Sequence, residues 1–100
     1  MNLHGRRQAY RAIAKTVVFR LNAPKARQVS LVIRLAKDDA PSTRAMRQGV
    51  DKVWSLRTDL ARGRYVYRFI VDGAPTLDPS ALGSQTDEHG EQWSTCEIGY

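Results

Sequence analysis

The sequence predicts an all-β sandwich of about seven short antiparallel strands. Three observations lead there. Apolar and polar side chains alternate with period two in several separate segments, the signature of strands with one buried face. Clusters of Pro, Gly, Asp and Ser punctuate those segments. No stretch carries a convincing helical period, and six or seven short strands without helices fit a sandwich best.

Taken in order, the opening residues 1–14, "MNLHGRRQAYRAIA", are basic and read as an N-terminal arm or a first strand, ahead of a domain over 15–100. "TVVFRLNAP" sets Val17, Phe19 and Leu21 on one face, and Pro24 ends the strand by removing a ladder donor. "QVSLVIRLA" repeats the alternation with Val29, Leu31, Ile33 and Leu35. "KDDAPSTR" has turn chemistry, and "RAMR" is a candidate short strand. "KVWSLRTDL" places Trp54 and Leu56 together on an inward face. "GRYVYRFIVDG" is the most regular segment. Tyr65, Tyr67, Phe69 and Val71 fall on one side, Val66, Arg68 and Ile70 on the other, and Asp72-Gly73 signals a hairpin. Residues 74–92 are rich in Pro, Gly and acids and read as one long loop. "WSTCEIGY" puts Ser94, Cys96 and Ile98 on one face and Trp93, Thr95 and Glu97 on the other. The expected core is Phe19, Leu21, Val29, Leu31, Trp54, Leu56, Tyr65, Tyr67, Phe69, Val71, Cys96 and Ile98.

One hundred residues hold one domain. The single cysteine, Cys96, forms no internal disulfide, so a reducing compartment is expected. No apolar run is long enough for a membrane span, and no apolar segment follows Arg6-Arg7 as in a signal peptide. A soluble, cytoplasmic domain is the expectation. The net charge of +6 is unevenly distributed. All 16 Lys and Arg lie at or before Arg68 against four Asp, which gives +12; from Phe69 onward six acids stand alone, which gives −6. Such asymmetry is compatible with a nucleic-acid surface. The basic residues, however, are spread singly through strands without any recognition-helix, zinc or RNA-binding signature, so solvated strand faces are the simpler reading and nucleic acid is not expected as a partner. His4 and His89 are far apart, in no metal-ligand spacing and beside no nucleophile. Asp87 and Glu88 are neighbours in an acidic loop rather than an acid/base pair. Neither a catalytic residue, a metal site nor a cofactor is expected.

The segments "VVFRLNAPKARQVSLV" (17–32), "MRQGVDKVWSL" (46–56), "LARGRYVYRFIVDG" (60–73) and "LDP" (77–79), in that order, resemble the family-48 carbohydrate-binding modules. These are attached to glycogen-branching and debranching enzymes and to the β subunit of AMP-activated protein kinase. The resemblance spans roughly residues 16–98. It implies an immunoglobulin-like, early-set β-sandwich, non-catalytic, that binds α-1,4-glucans such as glycogen or starch. Carried over position by position, it also implies a loss. Asp38 stands where the family has a sugar-stacking Trp, and Pro75 stands where it has a second. By analogy with base stacking each platform supplies about 1–3 kcal/mol, so two missing platforms leave a weak binder at most.

Three matched positions keep chemistry or geometry. Arg68 sits where the family often has a sugar-donating Lys, and its planar guanidinium donates in a fork. Trp93 sits where many members have a sugar-contacting Asn; by alternation it faces away from Cys96 and Ile98 and is a candidate relocated platform, with packing beneath the acidic loop as the plainer reading. Asp78-Pro79 is matched and reads as structural. The candidate carbohydrate-binding set is therefore Arg68 and Trp93, with His89 and Glu91 from the bordering loop. Two functions compete: an α-glucan-binding module of weakened affinity, and a sandwich that has lost the sugar and docks a protein partner through its charge-divided surface.

Overall fold

The computed structural model describes residues 14–37 and 40–99. The reading of the N-terminal arm, Ala14 aside, and that of Asp38 lie outside the described residues. Among the described residues nine strands follow one another without a helix: β1 (Lys15–Asn22), β2 (Val29–Leu35), β3 (Ser42–Ala45), β4 (Arg47–Gln48), β5 (Val53–Leu60), β6 (Gly63–Val71), β7 (Ala74–Thr76), β8 (Ser84–Thr86) and β9 (Gln92–Ile98). They form two antiparallel sheets, a smaller one in the order β1-β5-β4 and a larger one in the order β3-β2-β6-β9-β8, with β7 also on β6. This is the expected all-β, immunoglobulin-like sandwich.

The registers follow the alternation. In the smaller sheet Phe19 faces Leu56 and Leu21 faces Trp54. In the larger, Leu31 faces Phe69 and Ile33 faces Tyr67. These inward faces meet in one core with Val29, Met46, Tyr65 and Ile98. Phe19 and Tyr67 pack edge to face across the sheets, with centroids 4.9 Å apart. Leu56, Val71 and Cys96, expected in the core, lie only partly buried against it; Val71 is the last residue of β6. The Trp54 indole N–H donates to the Ala23 carbonyl at 2.9 Å, which satisfies the one polar atom of a buried ring.

Asp72 and Gly73 both have positive φ, 49° and 87°, the pattern of a two-residue hairpin loop whose twist matches its strands. Asp72 does more than turn the chain. Its carboxylate accepts from the backbone N–H groups of Arg27 and Gln28 at 2.9 and 2.8 Å, tying this hairpin to the entry of β2.

Residues 74–92 are not one loop. Residues 74–76 return along β6, pairing Phe69 with Thr76 and Val71 with Ala74, and residues 84–86 pair with β9. Both strands are too short to show a period, and Pro75 and Gly83 hide them; neighbouring strands supply the ladder partners that local sequence does not advertise. Between them Asp78 organises the chain. It accepts from the Tyr67 hydroxyl at 2.5 Å and from Ser80 N and Oγ, while its own N–H donates to the buried Ser94 hydroxyl. Burial, and then the Asp78 carboxylate, hold the Tyr67 phenol above its ordinary range, so it donates at any physiological pH.

Phe69 has no exposed surface. Phe69→Ala is expected to lower unfolding free energy by about 3–5 kcal/mol in urea titrations. A loss below about 1 kcal/mol is incompatible with this core.

Candidate functional site

The larger sheet has a second, outward face, and Arg68 lies at its centre. On one side β6 pairs with β2 along its length, with Arg68 opposite Val32. On the other side β9 covers Gly63–Tyr67 and β7 covers Phe69–Val71. Arg68 therefore falls where β9 leaves β6 and β7 takes its place. The outward parity set by Val66↔Thr95 and Arg34↔Val66 brings Arg34, Arg68 and Trp93 onto one surface.

These three side chains form a stack. The guanidinium carbons of Arg68 and Arg34 lie 4.4 and 4.9 Å from the Trp93 ring centroid, within cation–π range. Trp93 does face away from the core, as alternation requires, yet it is only 6 % exposed. Beside them in the register Val66 is wholly buried, so this face holds a small apolar layer of its own. The ring as a bare, flat platform is therefore not what the fold presents. Two guanidinium planes cover much of it.

The β8–β9 connection fixes the stack from the other side. Residues 87–91 form a tight loop closed by Asp87 N donating to Glu91 O at 2.9 Å, with Gly90 at φ 81°. One Asp87 carboxylate oxygen accepts from the N–H groups of His89 and Glu91; the other accepts from the Trp93 indole at 3.0 Å. The indole bond, more than the two backbone bonds and the His89 charge, holds the Asp87 carboxyl below its ordinary value, against a smaller opposing effect of burial. Glu91 then reaches Arg68, with Oε1 2.7 Å from Nη2; the Arg68 side chain is 16 % exposed. Its Nε, turned inward, has no hydrogen-bond partner.

All four expected site residues thus gather around one loop, in unequal roles. Trp93 and Arg68 are in contact, Glu91 is ion-paired to Arg68, and His89 projects into solvent beside Glu88. Sequence reasoning missed Arg34 and Asp87. Arg34 is two strands away from Trp93 and is brought to it only by strand order. Asp87 did carry a signal, an Asp two residues before a His-Gly turn and six before a Trp. Two hollows adjoin the stack. One of about 530 Å³ is lined by Arg34, Pro41, Gln85, Asp87, His89 and Trp93. The other, about 350 Å³, is lined by Arg68, Pro75, Thr76, Glu91 and Gln92. A larger depression of about 860 Å³ lies at the far end of β6, around Leu35, Arg62 and Ile98, and none of the expected site residues reaches it.

Such a face offers donors from two guanidinium groups, acceptors from Asp87 and Gln85, and planar cover. It suits reversible contact with a polar, hydroxylated ligand. It has no nucleophile–base pair.

No family model matches the chain, and no curated protein matches it. Among solved structures the chain is similar to type I pullulanase from Bacillus subtilis strain 168, solved with maltose, at 22% identity and a TM-score of 0.64, over 81% of this chain and 12% of that one. It is also similar to the pullulanase of Paenibacillus barengoltzii, both in its apo form and as a mutant with maltotetraose. Each of these has 25% identity, a TM-score of 0.52, and covers 81% of this chain and 14% of that one. The chain thus corresponds to a small part of the length of those pullulanases. Among the described residues no helix is long and apolar enough to cross a membrane.

Because the Asp87 carboxyl is depressed in the fold, its bonds contribute fully above its unfolded value and are lost as pH falls through the lower folded value. Acid titration by NMR is expected to move the Trp93 indole N–H resonance only below the ordinary carboxylate range. Asp87→Asn is expected to abolish that titration. An indole resonance titrating at the ordinary Asp value contradicts the bond.

Proposed function

We propose that this domain is a non-catalytic α-glucan-binding module of the family-48 kind, of weakened affinity, that holds an attached or partner enzyme near glycogen-like polymer in the cytoplasm. The observation that carries the reading is the contact between Arg68 and Trp93 on the outward face of the larger sheet, with hollows adjoining it. The pullulanase neighbours support an α-glucan ligand class, and the residue pattern of 16–98 supports the same face.

In this reading a glucose unit meets the guanidinium planes of Arg34 and Arg68 and the uncovered part of the Trp93 ring. Its hydroxyls accept from those guanidinium groups and donate to Asp87 or Gln85. A hydrophobic pyranose face gains little from a ring already covered, and Pro75 supplies no ring at all. Affinity is therefore expected in the millimolar range at best, about −4 kcal/mol. The burial of Trp93 favours a second reading, a docking module in which the same loop and its charges contact a protein.

Titration with maltoheptaose and β-cyclodextrin, followed by amide shifts, separates the two. Shifts are expected at Arg34, Arg68, Gln85 and 87–93. Trp93→Ala is expected to abolish them. Arg68→Ala is expected to weaken them, with the amide spectrum elsewhere unchanged as the check on folding. Shifts clustered away from this face refute the placement. No shifts at several millimolar sugar leave the docking reading in place.

A further inference from the structure

The smaller sheet also has an outward face, and three arginines stand on it. Phe19, Leu21, Trp54 and Leu56 point inward, so the residues between them point out. Ser55 pairs with Arg20 on one side and Arg47 on the other, which makes one cross-strand row, Arg20–Ser55–Arg47. Arg57, paired with Val18, stands two residues further along β5 on the same face. Arg20, Arg47 and Arg57 are all exposed. At one end of this sheet the turns bearing Lys25 and Lys52 are tied together, since the Gln48 amide donates to the carbonyls of Pro24 and Lys52.

Most acids among the described residues are engaged away from these arginines. From Phe69 onward Asp72, Asp78 and Asp87 hold backbone N–H groups, while Glu91 and Glu97 pair with Arg68 and Arg64. On the smaller sheet the acids are exposed and held by local partners: Asp51 accepts from Val53 N, and Asp59, two residues beyond Arg57 on the same outward face, accepts from the Thr16 hydroxyl. Among the described residues, no ion pair involves Arg20, Arg47 or Arg57. Three like charges on neighbouring positions of a sheet repel one another, and at low salt a carboxylate-bearing ligand relieves this.

We propose that the outward face of β1-β5-β4 is a docking surface for an extended acidic peptide segment of a partner protein. Carboxylates meet guanidinium groups in paired hydrogen bonds, which Lys does not match. Alternate side chains of an extended chain recur about every 7 Å, which is also the spacing along β5 from the Arg20–Ser55–Arg47 row to Arg57. A peptide with acids at alternate positions therefore meets both levels of the face. Thr16, Val18, Asn22, Val53, Ser55 and, at the far edge, Asp59 complete it without an aromatic side chain, so bases of a single-stranded nucleic acid have nothing to stack on. The surface lies on the opposite sheet from Trp93 and stands independently of the glucan reading.

The test uses the full chain, a decamer of glutamate, and an oligouridylate of equal charge, each titrated at low salt and followed by amide shifts. The decamer is expected to perturb Thr16–Asn22, Arg47 and Ser55–Arg57. Arg20→Gln/Arg47→Gln/Arg57→Gln is expected to weaken it about tenfold, in keeping with a few tenths to 1 kcal/mol per exposed pair. Lys37→Gln/Arg62→Gln/Arg64→Gln removes equal charge at the far end of the other sheet and is expected to change affinity by less than about twofold. Equal weakening by both triple variants reduces the effect to net charge and overturns the proposal. So does tighter binding of oligouridylate at the same residues, or shifts confined to other parts of the chain, or no binding of the decamer.

Discussion

The fold depends on one strand that is buried on both sides. β6 alternates strictly, so Tyr65, Tyr67 and Phe69 enter the core while Val66 and Arg68 face outward. Phe69 and Val66 are both wholly buried, and they belong to opposite faces. A strand in a two-layer sandwich needs cover on one face only. Here Trp93, Arg34 and Arg68 supply a second cover, and the outward face acquires its organisation from that need.

A single topological event then makes the site. β6 exchanges one neighbour for another at Arg68, and the chain between β7 and β9 has to leave the sheet and return there. Three aspartates control that excursion and its surroundings. Asp72 anchors the hairpin, Asp78 holds the turn after β7 against Tyr67 and Ser94, and Asp87 closes the loop before β9 and holds the Trp93 indole. Short carboxylates serve this purpose because they accept from two or three nearby N–H or O–H groups at once. The acidic second half of the sequence is, in large part, the set of hydrogen-bond acceptors that its loops require.

The two sheets consequently present different chemistry. The larger sheet pairs Arg64 with Glu97 and Arg68 with Glu91 and stacks Arg34 and Arg68 on the Trp93 ring, and offers a mixed polar surface with hollows. The smaller sheet keeps Arg20, Arg47 and Arg57 in solvent. A charge count alone merges these into a net +6 and gives no hint of which arginines are paired.

The sequence by itself determined the strands that carry a clear period, β1, β2, β5, β6 and β9, together with most of the core and the turn at Asp72-Gly73. Period-two alternation and positive-φ residues are local properties that any reader of the chain meets directly. It also placed Arg68 and Trp93 facing outward, with His89 and Glu91 in the bordering loop. Tertiary structure alone decided the rest. β7 and β8 exist because β6 and β9 supply their ladder partners. Arg34 reaches Trp93 because β2 and β9 flank the same strand. Trp93 is covered because Arg34 and Arg68 stack on it and Asp87 holds its indole, and a covered ring is a different surface from an open one. Alternation tells which side of a sheet a residue takes; only strand order tells what stands beside it there.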